Sequence, residues 1–280
     1  RRHTRCLSDW SSDVCSSDLT PLTDWPLARR QRIRGVLTDI DDTLTQAGVI
    51  MPQALDALQR LRAAGIPVIA VTGRPAGWSA PFALQWPVTG IVAENGAVAL
   101  SRDERGGLRK DWLQDQATRR VHAQRLQAAA ADVLRQMPHA CLATDSAGRE
   151  TDIAVDHAEH AHLEASDIAR VRDIMRHHGL TATVSSIHIN GWIGDHHKWA
   201  GALWAVRLWL RRDLSAEVDR WVYIGDSAND EIMFRHCPQS VAVANIASHW
   251  GQLQHFPRYV TAGQRGIGFA EMVQALLEIK

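Results

Sequence analysis

From Arg34 onward the chain alternates short apolar runs with amphipathic stretches. GVLTDI, IPVIAVTG and GIVAENG, and later WVYIGD and SVAVAN, are β-branched and bounded by Gly or Asp. Uninterrupted apolar runs of this length read as strands buried on both faces, the signature of a parallel sheet. The amphipathic stretches between several of them supply the crossover helices, so the pattern predicts an α/β sheet domain. The first helix is well punctuated: Pro52 stands near its first turn, Leu55, Leu58 and Leu61 recur at helical spacing, and Gly65 stops it. Between about Leu100 and Ile189 the rhythm changes. A long helix is expected over Thr118 to Met137, carrying Val121, Leu126, Val133 and Leu134, followed by a hairpin that pairs CLATD with ETDIAVD around Ser146, Ala147 and Gly148. A second helix from Glu164 to His178 stops at Gly179, and TATVSSIHI follows as a strand. Two helices and about three strands make a small α+β domain at 100–189, inserted into a core formed by 31–99 and 190–280. The core resumes with a helix starting near Lys198.

Composition adds limits. A chain of 280 residues with 45% hydrophobic content can build a proper core. Its 31 basic residues balance its 31 acidic ones, so the total charge points to neither nucleic acid nor an anionic membrane as partner. The longest apolar run, Trp199 to Val206, is far short of the roughly 20 residues that span a bilayer. Residues 1–30 read as a disordered tail. Within it WSSDVCSSDL, Trp10 to Leu19, resembles the conceptual translation of a common sequencing-adapter oligonucleotide, so residues 1–19 are expected to be an artefact. Setting aside Cys6 and Cys15 leaves Cys141 and Cys237, too few for a disulfide framework, and a reducing cytoplasm fits best.

The chemistry gathers at strand ends. TDIDDTLTQAG places Asp39, Asp41 and Asp42 directly after the first apolar run. Carboxylates this close raise one another's pKa unless a cation or a polar network holds them. Asp39 and Asp41 alternate along an extended strand end and point the same way, at the edge where open parallel sheets present their ligands. VTGR offers the Thr72 hydroxyl and the bare backbone N–H of Gly73 at the same edge. WVYIGDSAND adds Asp226, Asn229 and Asp230, oxygen groups that suit Mg²⁺. Lys198 opens a helix, where an ammonium opposes the helix dipole and a nearby anion would explain it. Together these describe a phosphoryl-transfer site.

The sequence resembles the haloacid dehalogenase superfamily of phosphohydrolases, whose four motifs appear in order as DIDDT, VTGR, Lys198 and GDSAND, from about Arg34 to the C-terminus. The resemblance implies a Rossmann-like parallel-sheet core with an inserted α+β C2-type cap. The position of the insertion, with AENGA before it, resembles subfamily IIB, the Cof-type and sugar-phosphate phosphatases with a type-B C2 cap. It further implies that Asp39 is the nucleophile that becomes an aspartyl phosphate, and that Asp41 protonates the leaving oxygen and then activates water. Thr72, Gly73, Lys198 and Asn229 would hold the phosphoryl group. Asp39, the backbone carbonyl of Asp41 and Asp226 would ligate Mg²⁺, with Asp230 in support. The expected activity is hydrolysis of a small phosphorylated metabolite, a sugar phosphate. A phosphomutase and a non-catalytic phosphometabolite-binding protein are the alternatives, and oligomeric state is left open.

Asp42 stands where the family usually has Gly, and Trp199 follows Lys198 where many relatives have Gly. His188, Asn190 and Trp192 fall on the segment returning from the cap, which reads either as a place of leaving-group recognition or as ordinary hinge packing. His196 and His197 adjoin Lys198 without an assigned role. DHAEHAH, Asp156 to His162, has the residue types of a zinc site but not a familiar closed spacing, and reads as a solvated cap loop. Trp199, Trp204 and Trp209 recur every five residues and wind around their helix as packing residues.

Overall fold

The computed structural model describes residues 20–278. A short helix α1 (Leu27–Arg30) precedes β1 (Gly35–Thr38), the small hairpin β2 (Thr45–Gln46) and β3 (Val49–Ile50), α2 (Pro52–Ala63), β4 (Val68–Val71), α3 (Ala76–Gln85) and β5 (Gly90–Ala93). Then follow β6 (Val98–Arg102), β7 (Leu108–Trp112), α4 (Gln116–Gln136), β8 (Asp152–Asp156), α5 (Ala165–His177), β9 (Thr181–Val184) and β10 (His188–Trp192). The chain closes with α6 (Lys198–Ala205), β11 (Trp221–Gly225), α7 (Glu231–His236), β12 (Gln239–Ala242), β13 (Tyr259–Val260) and α8 (Arg265–Leu277).

The main sheet has eight strands in the order β13-β12-β11-β1-β4-β5-β6-β7. From β13 to β5 every pairing is parallel, and the strands are buried along their length, as uninterrupted apolar runs require. Alternation sends Val36, Val222 and Ile224 to one face, against Leu58, Leu61, Phe269 and Met272 of α2 and α8. Leu37, Ile69 and Tyr223 face the other way, against Ala202, Ala205 and Met233 of α6 and α7. Gly35 has no freedom to be larger, since a Cβ there would lie 2.3 Å from the Trp221 ring. The second sheet, β8-β10-β9, is antiparallel. It packs against α4 and α5 through Val155, Ile189, Leu126, Val133, Val171 and Met175. The α/β core with an inserted α+β unit is therefore the observed architecture. No helix among the described residues is long and apolar enough to cross a membrane.

Several expected boundaries fall differently. The residues after 99 do not leave the core at once: β6 pairs antiparallel with β5, and β7 with β6, so this hairpin extends the main sheet. The reversal is made by Glu94 and Asn95, both at positive φ (50° and 55°). At the other end, β10 runs through residue 190 and is the central strand of the cap sheet. The chain thus crosses between the two units near 113–115 and 193–197. TATVSSIHI is two strands, not one, because Ser185 Oγ accepts the His188 N–H at 3.0 Å and turns the chain. CLATD forms only a bridge, Leu142 to Val155, in place of a hairpin strand, with a 3₁₀ turn at Ser146–Gly148. Residues 20–30, expected in the tail, are packed: Trp25 is 1% exposed, donates its Nε1–H to Gln239 Oε1 at 3.0 Å and lies against Tyr259. A single large aromatic anchors this segment where composition suggests no anchor. Residues 1–19, expected to be an artefact, lie outside the described residues.

Candidate active site

Asp39 follows β1 directly, its backbone N–H still bonded to Ile224 O of β11 at 2.9 Å, so the ladder of the central strand fixes where its carboxylate starts. Lys198 is the first residue of α6 and is 2% exposed. Its ammonium donates to Asp39 Oδ1 at 2.6 Å, Asp230 Oδ1 at 2.6 Å and Asn229 Oδ1 at 3.1 Å. The start of α6 is pressed against the AENGA turn, and the contact depends on two glycines: a Cβ on Gly201 would lie 2.5 Å from the Gly96 Cα. Asp230 closes the short helix after β11 through a capping box with Ser227. Its Oδ2 accepts the N–H groups of Asp226 and Ser227 at 2.9 and 3.1 Å, while Oδ1 also accepts the Tyr223 hydroxyl.

Asp39, Asp226 and Asp230 each bring a carboxylate oxygen within 4.8 Å of the others, all three buried. Burial, with Asp230 and Asp41 adding to it against the pull of Lys198, pushes the Asp39 carboxyl up to about 8. Asp226 is raised well above the carboxylate range by burial, then by Asp230 and Asp39. One oxygen of Asp226 accepts Asn245 Nδ2–H at 3.2 Å, and the other, Oδ1, is buried with no hydrogen-bond partner. An orphaned carboxylate oxygen among acids, beside one lysine, is short of positive charge, and a hard divalent cation fits that deficit. Asp230 already accepts from Lys198, Tyr223, Asp226 and Ser227, so its part is to hold Lys198 and the strand end.

Asp41 is brought to the same edge and held from the side. Arg74 Nε donates to both of its oxygens at 3.0 Å. Burial raises the Asp41 carboxyl against the opposing pull of Arg74. The rest of the guanidinium reaches the cap, at Asp145 (3.1 Å) and Glu159 (2.7 Å), and its plane stands over Trp78. Glu159 also meets His188 Nε2 at 2.9 Å, and the His188 and Arg74 hydrogen bonds together bring its carboxyl down to about 2. Thr72 is buried with its hydroxyl accepting the Arg74 N–H at 3.0 Å. The Gly73 carbonyl accepts Arg149 Nη1–H from the cap at 3.0 Å. A Cβ on Gly73 would lie 3.1 Å from Asn190 Nδ2, and the other amide atom of Asn190 is buried and unpartnered.

Asp39, Asp41, Gly73 and Asn229 from the core, with His188 and Asn190 from the cap, line one cavity of about 10 Å³. These six of the predicted residues share that lining; Thr72, Lys198, Asp226 and Asp230 lie outside it, with Lys198 joined to Asp39 and Asn229 by hydrogen bonds. Sequence reasoning missed Arg74, the fourth letter of VTGR, and its cap partners Asp145 and Glu159. Asp42 is accounted for by its backbone: at φ 52° it occupies the left-handed conformation that Gly favours and Asp tolerates, and Arg265 Nε grips it at 2.7 Å. His197 is the N-cap of α6, accepting the Ala200 N–H at 3.2 Å. His196 is buried with neither ring nitrogen partnered, and burial pushes it down to about 4. Trp192 donates its Nε1–H to the His196 carbonyl at 2.8 Å, so it packs the crossing. The DHAEHAH loop is shaped by Asp156, whose carboxylate accepts the N–H groups of residues 158–161 at 2.9 to 3.1 Å. Among the described residues its histidines join no cluster of metal-site spacing.

Residues 36–134 match the family model of haloacid dehalogenase-like hydrolases. Among solved structures, the chain is similar to a protein of Thermoplasma acidophilum, with a TM-score of 0.66 at 17% identity, covering 89% of this chain and 99% of that one. It is also similar to the sucrose-phosphatase of Synechocystis, solved with sucrose and phosphate (TM-score 0.61, 16% identity, 86% of this chain and 97% of that one). A third is a subclass IIB sugar phosphatase (TM-score 0.60, 14% identity, 88% of this chain and all of that one, 100%). At such identities the likeness is one of fold, and it extends over core and cap together.

Proposed function

We propose, from the match of residues 36–134 to the haloacid dehalogenase-like hydrolases and the likeness of core and cap to a subclass IIB sugar phosphatase, that the chain is a Mg²⁺-dependent phosphatase of that superfamily with a C2-type cap. Its substrate is a small phosphorylated metabolite, a sugar phosphate, hydrolysed through an aspartyl-phosphate intermediate. The observation that carries the reading is the Asp39–Lys198–Asp230 contact beside the orphaned Asp226 oxygen. It is a nucleophile-bearing strand end built around a missing positive charge.

Asp39 and Asp226, with the Asp41 carbonyl and with Asp230 in support, would hold Mg²⁺, which when bound neutralises charge between carboxylate and phosphate. Lys198 supplies the protein's own positive charge against the Asp39 oxygen and the phosphoryl group. Asp39 attacks phosphorus; the ester P–O bond breaks, and Asp41 gives its proton to the leaving oxygen. Asp41 then takes a proton from water, the water oxygen bonds to phosphorus, and the bond to Asp39 breaks to release phosphate. Thr72, the Gly73 N–H and Asn229 orient the phosphoryl oxygens. A cavity of about 10 Å³ holds about one water, so the cap must open for a sugar phosphate to enter. The likeness to a sucrose-phosphatase and a sugar phosphatase supports the substrate class. Cys141 and Cys237, both free thiols, agree with a cytoplasmic location.

Phosphate release across a panel of sugar phosphates and other small phosphoesters, with Mg²⁺ and with EDTA, tests the reading beside Asp39→Asn. Metal-dependent release that the substitution abolishes is expected. Product analysis in the same assay separates hydrolysis from transfer to a second sugar hydroxyl. No release from any compound by a folded protein would overturn it.

A further inference from the structure

We infer, on the premise of the phosphatase reading above, that the cap lays a roof over the cavity that rejects leaving groups with a second negative charge, and that Glu159 sets this selectivity. Of the residues lining the cavity, Arg74 and His188 are those able to carry positive charge. Neither is free to receive an anion. Arg74 is occupied on all sides of its guanidinium, by Asp41, Asp145 and Glu159, and is 3% exposed. His188 commits its Nε2 to Glu159. Arg149, behind the lining, is divided between Asp145 and Asp152 at 3.2 and 2.9 Å. Arg74 and Arg149 are thus both engaged by carboxylates, from Asp41, Asp145, Asp152 and Glu159, and leave the roof no unengaged arginine for an incoming anion.

The neutral groups point the same way. Asn190 Oδ1 is an unpartnered acceptor, 1% exposed as a residue, and Ser186 joins the lining from the turn before β10, beside Ser185, whose hydroxyl is committed to the His188 backbone. Acceptors and hydroxyls suit the hydroxyl groups of a polyol. A carboxylate or second phosphate in the same place would find no free donor cation and several like charges. Glu159 is the pivot because it neutralises both candidate cations at once: without its charge, the Arg74 Nη2 and His188 Nε2 hydrogens become available to an anion. It acts through those two residues and is a positioning residue for them.

The test compares glucitol 6-phosphate with 6-phosphogluconate, which share a carbon chain and differ by one carboxylate. For the native protein with Mg²⁺, kcat/KM is expected to favour glucitol 6-phosphate by about tenfold or more, the scale of one like charge a few ångströms away at intermediate dielectric. Glu159→Gln, which keeps the shape and removes the charge, is expected to shift that ratio toward 6-phosphogluconate, while Glu159→Asp restores it. A general loosening of the cap would lower both rates and leave their ratio unmoved. Equal or preferred hydrolysis of 6-phosphogluconate by the native protein would overturn the inference and leave the phosphatase reading standing, as would a ratio that Glu159→Gln does not change. Failure of the native protein to release phosphate from either compound and from a generic aryl phosphate would overturn both.

Discussion

Gly77→Ala adds one methyl group at the start of α3, where core and cap approach closely. The new Cβ would lie 2.8 Å from the Gly148 Cα and 3.2 Å from its carbonyl oxygen, both backbone atoms of the cap. Ordinary contact begins at about 3.4 Å, so the cap edge must retreat by about half an ångström or more. The hydrogen bonds beside it cannot all follow. Glu94, fully buried, accepts the Thr151 N–H at 2.6 Å, the Thr151 hydroxyl at 2.5 Å and the Glu150 N–H at 3.1 Å, all from the cap. Loss of one hydrogen bond to a charged acceptor costs about 1.5–3 kcal/mol, which lowers the closed population about 10- to 150-fold relative to the open one. Ala is a better helix former than Gly by up to about 1 kcal/mol, so the core itself should not lose stability. The assay is kcat/KM for the best sugar phosphate beside a generic aryl phosphate, whose leaving group needs less help from the cap. The sugar phosphate should fall by at least about tenfold and the aryl phosphate by much less, with an unchanged melting temperature. Sugar phosphate turnover within about twofold of the native rate, or an equal loss on both substrates, would refute the idea that this contact governs closure.

Lys198→Met removes the cation between Asp39 and Asp230; the buried acids left behind should cost about 3–5 kcal/mol in urea unfolding, and phosphate release should stop. The Glu159 carboxyl lies at about 2 in the folded protein against an ordinary 4.5. Its contribution to stability is therefore present above about pH 4.5 and lost as pH falls toward 2, a slope in melting temperature that Glu159→Gln should flatten. Trp25→Ala should cost about 3–5 kcal/mol in the same unfolding assay, because a fully buried aromatic and its hydrogen bond to Gln239 are lost. A cost under about 1 kcal/mol would return residues 20–30 to the status of a tail.

The catalytic edge is legible in the sequence because parallel strands show as apolar runs and deliver the residues after them to one side of the sheet. Asp39, Thr72 and Asp226 each stand at such an end, and Lys198 signals an anion by sitting at a helix start. The clasp around Arg74 is not legible, since its partners Asp145 and Glu159 lie 71 and 85 residues away in another unit, and no local pattern encodes that meeting. Asp42 looks like a departure when only its side chain is considered; the backbone angle shows that the position selects for a conformation, which Asp can adopt. The β6–β7 hairpin reads as part of the insertion because a change of rhythm imitates a change of unit. Antiparallel strands at the edge of a parallel sheet break the alternation without leaving the fold.

The loop after β8 owes its shape to one buried carboxylate. Asp156 collects four successive backbone N–H groups, and none of these bonds involves the side chains at 158–161. The curve of the loop is thus separable from its chemistry. Diversity introduced at 158, 160 and 161, with Asp156 and Glu159 retained, changes the side chains around the Glu159 clasp without asking the loop's backbone to refold, so a small combinatorial library there is an economical way to vary the surroundings of that contact.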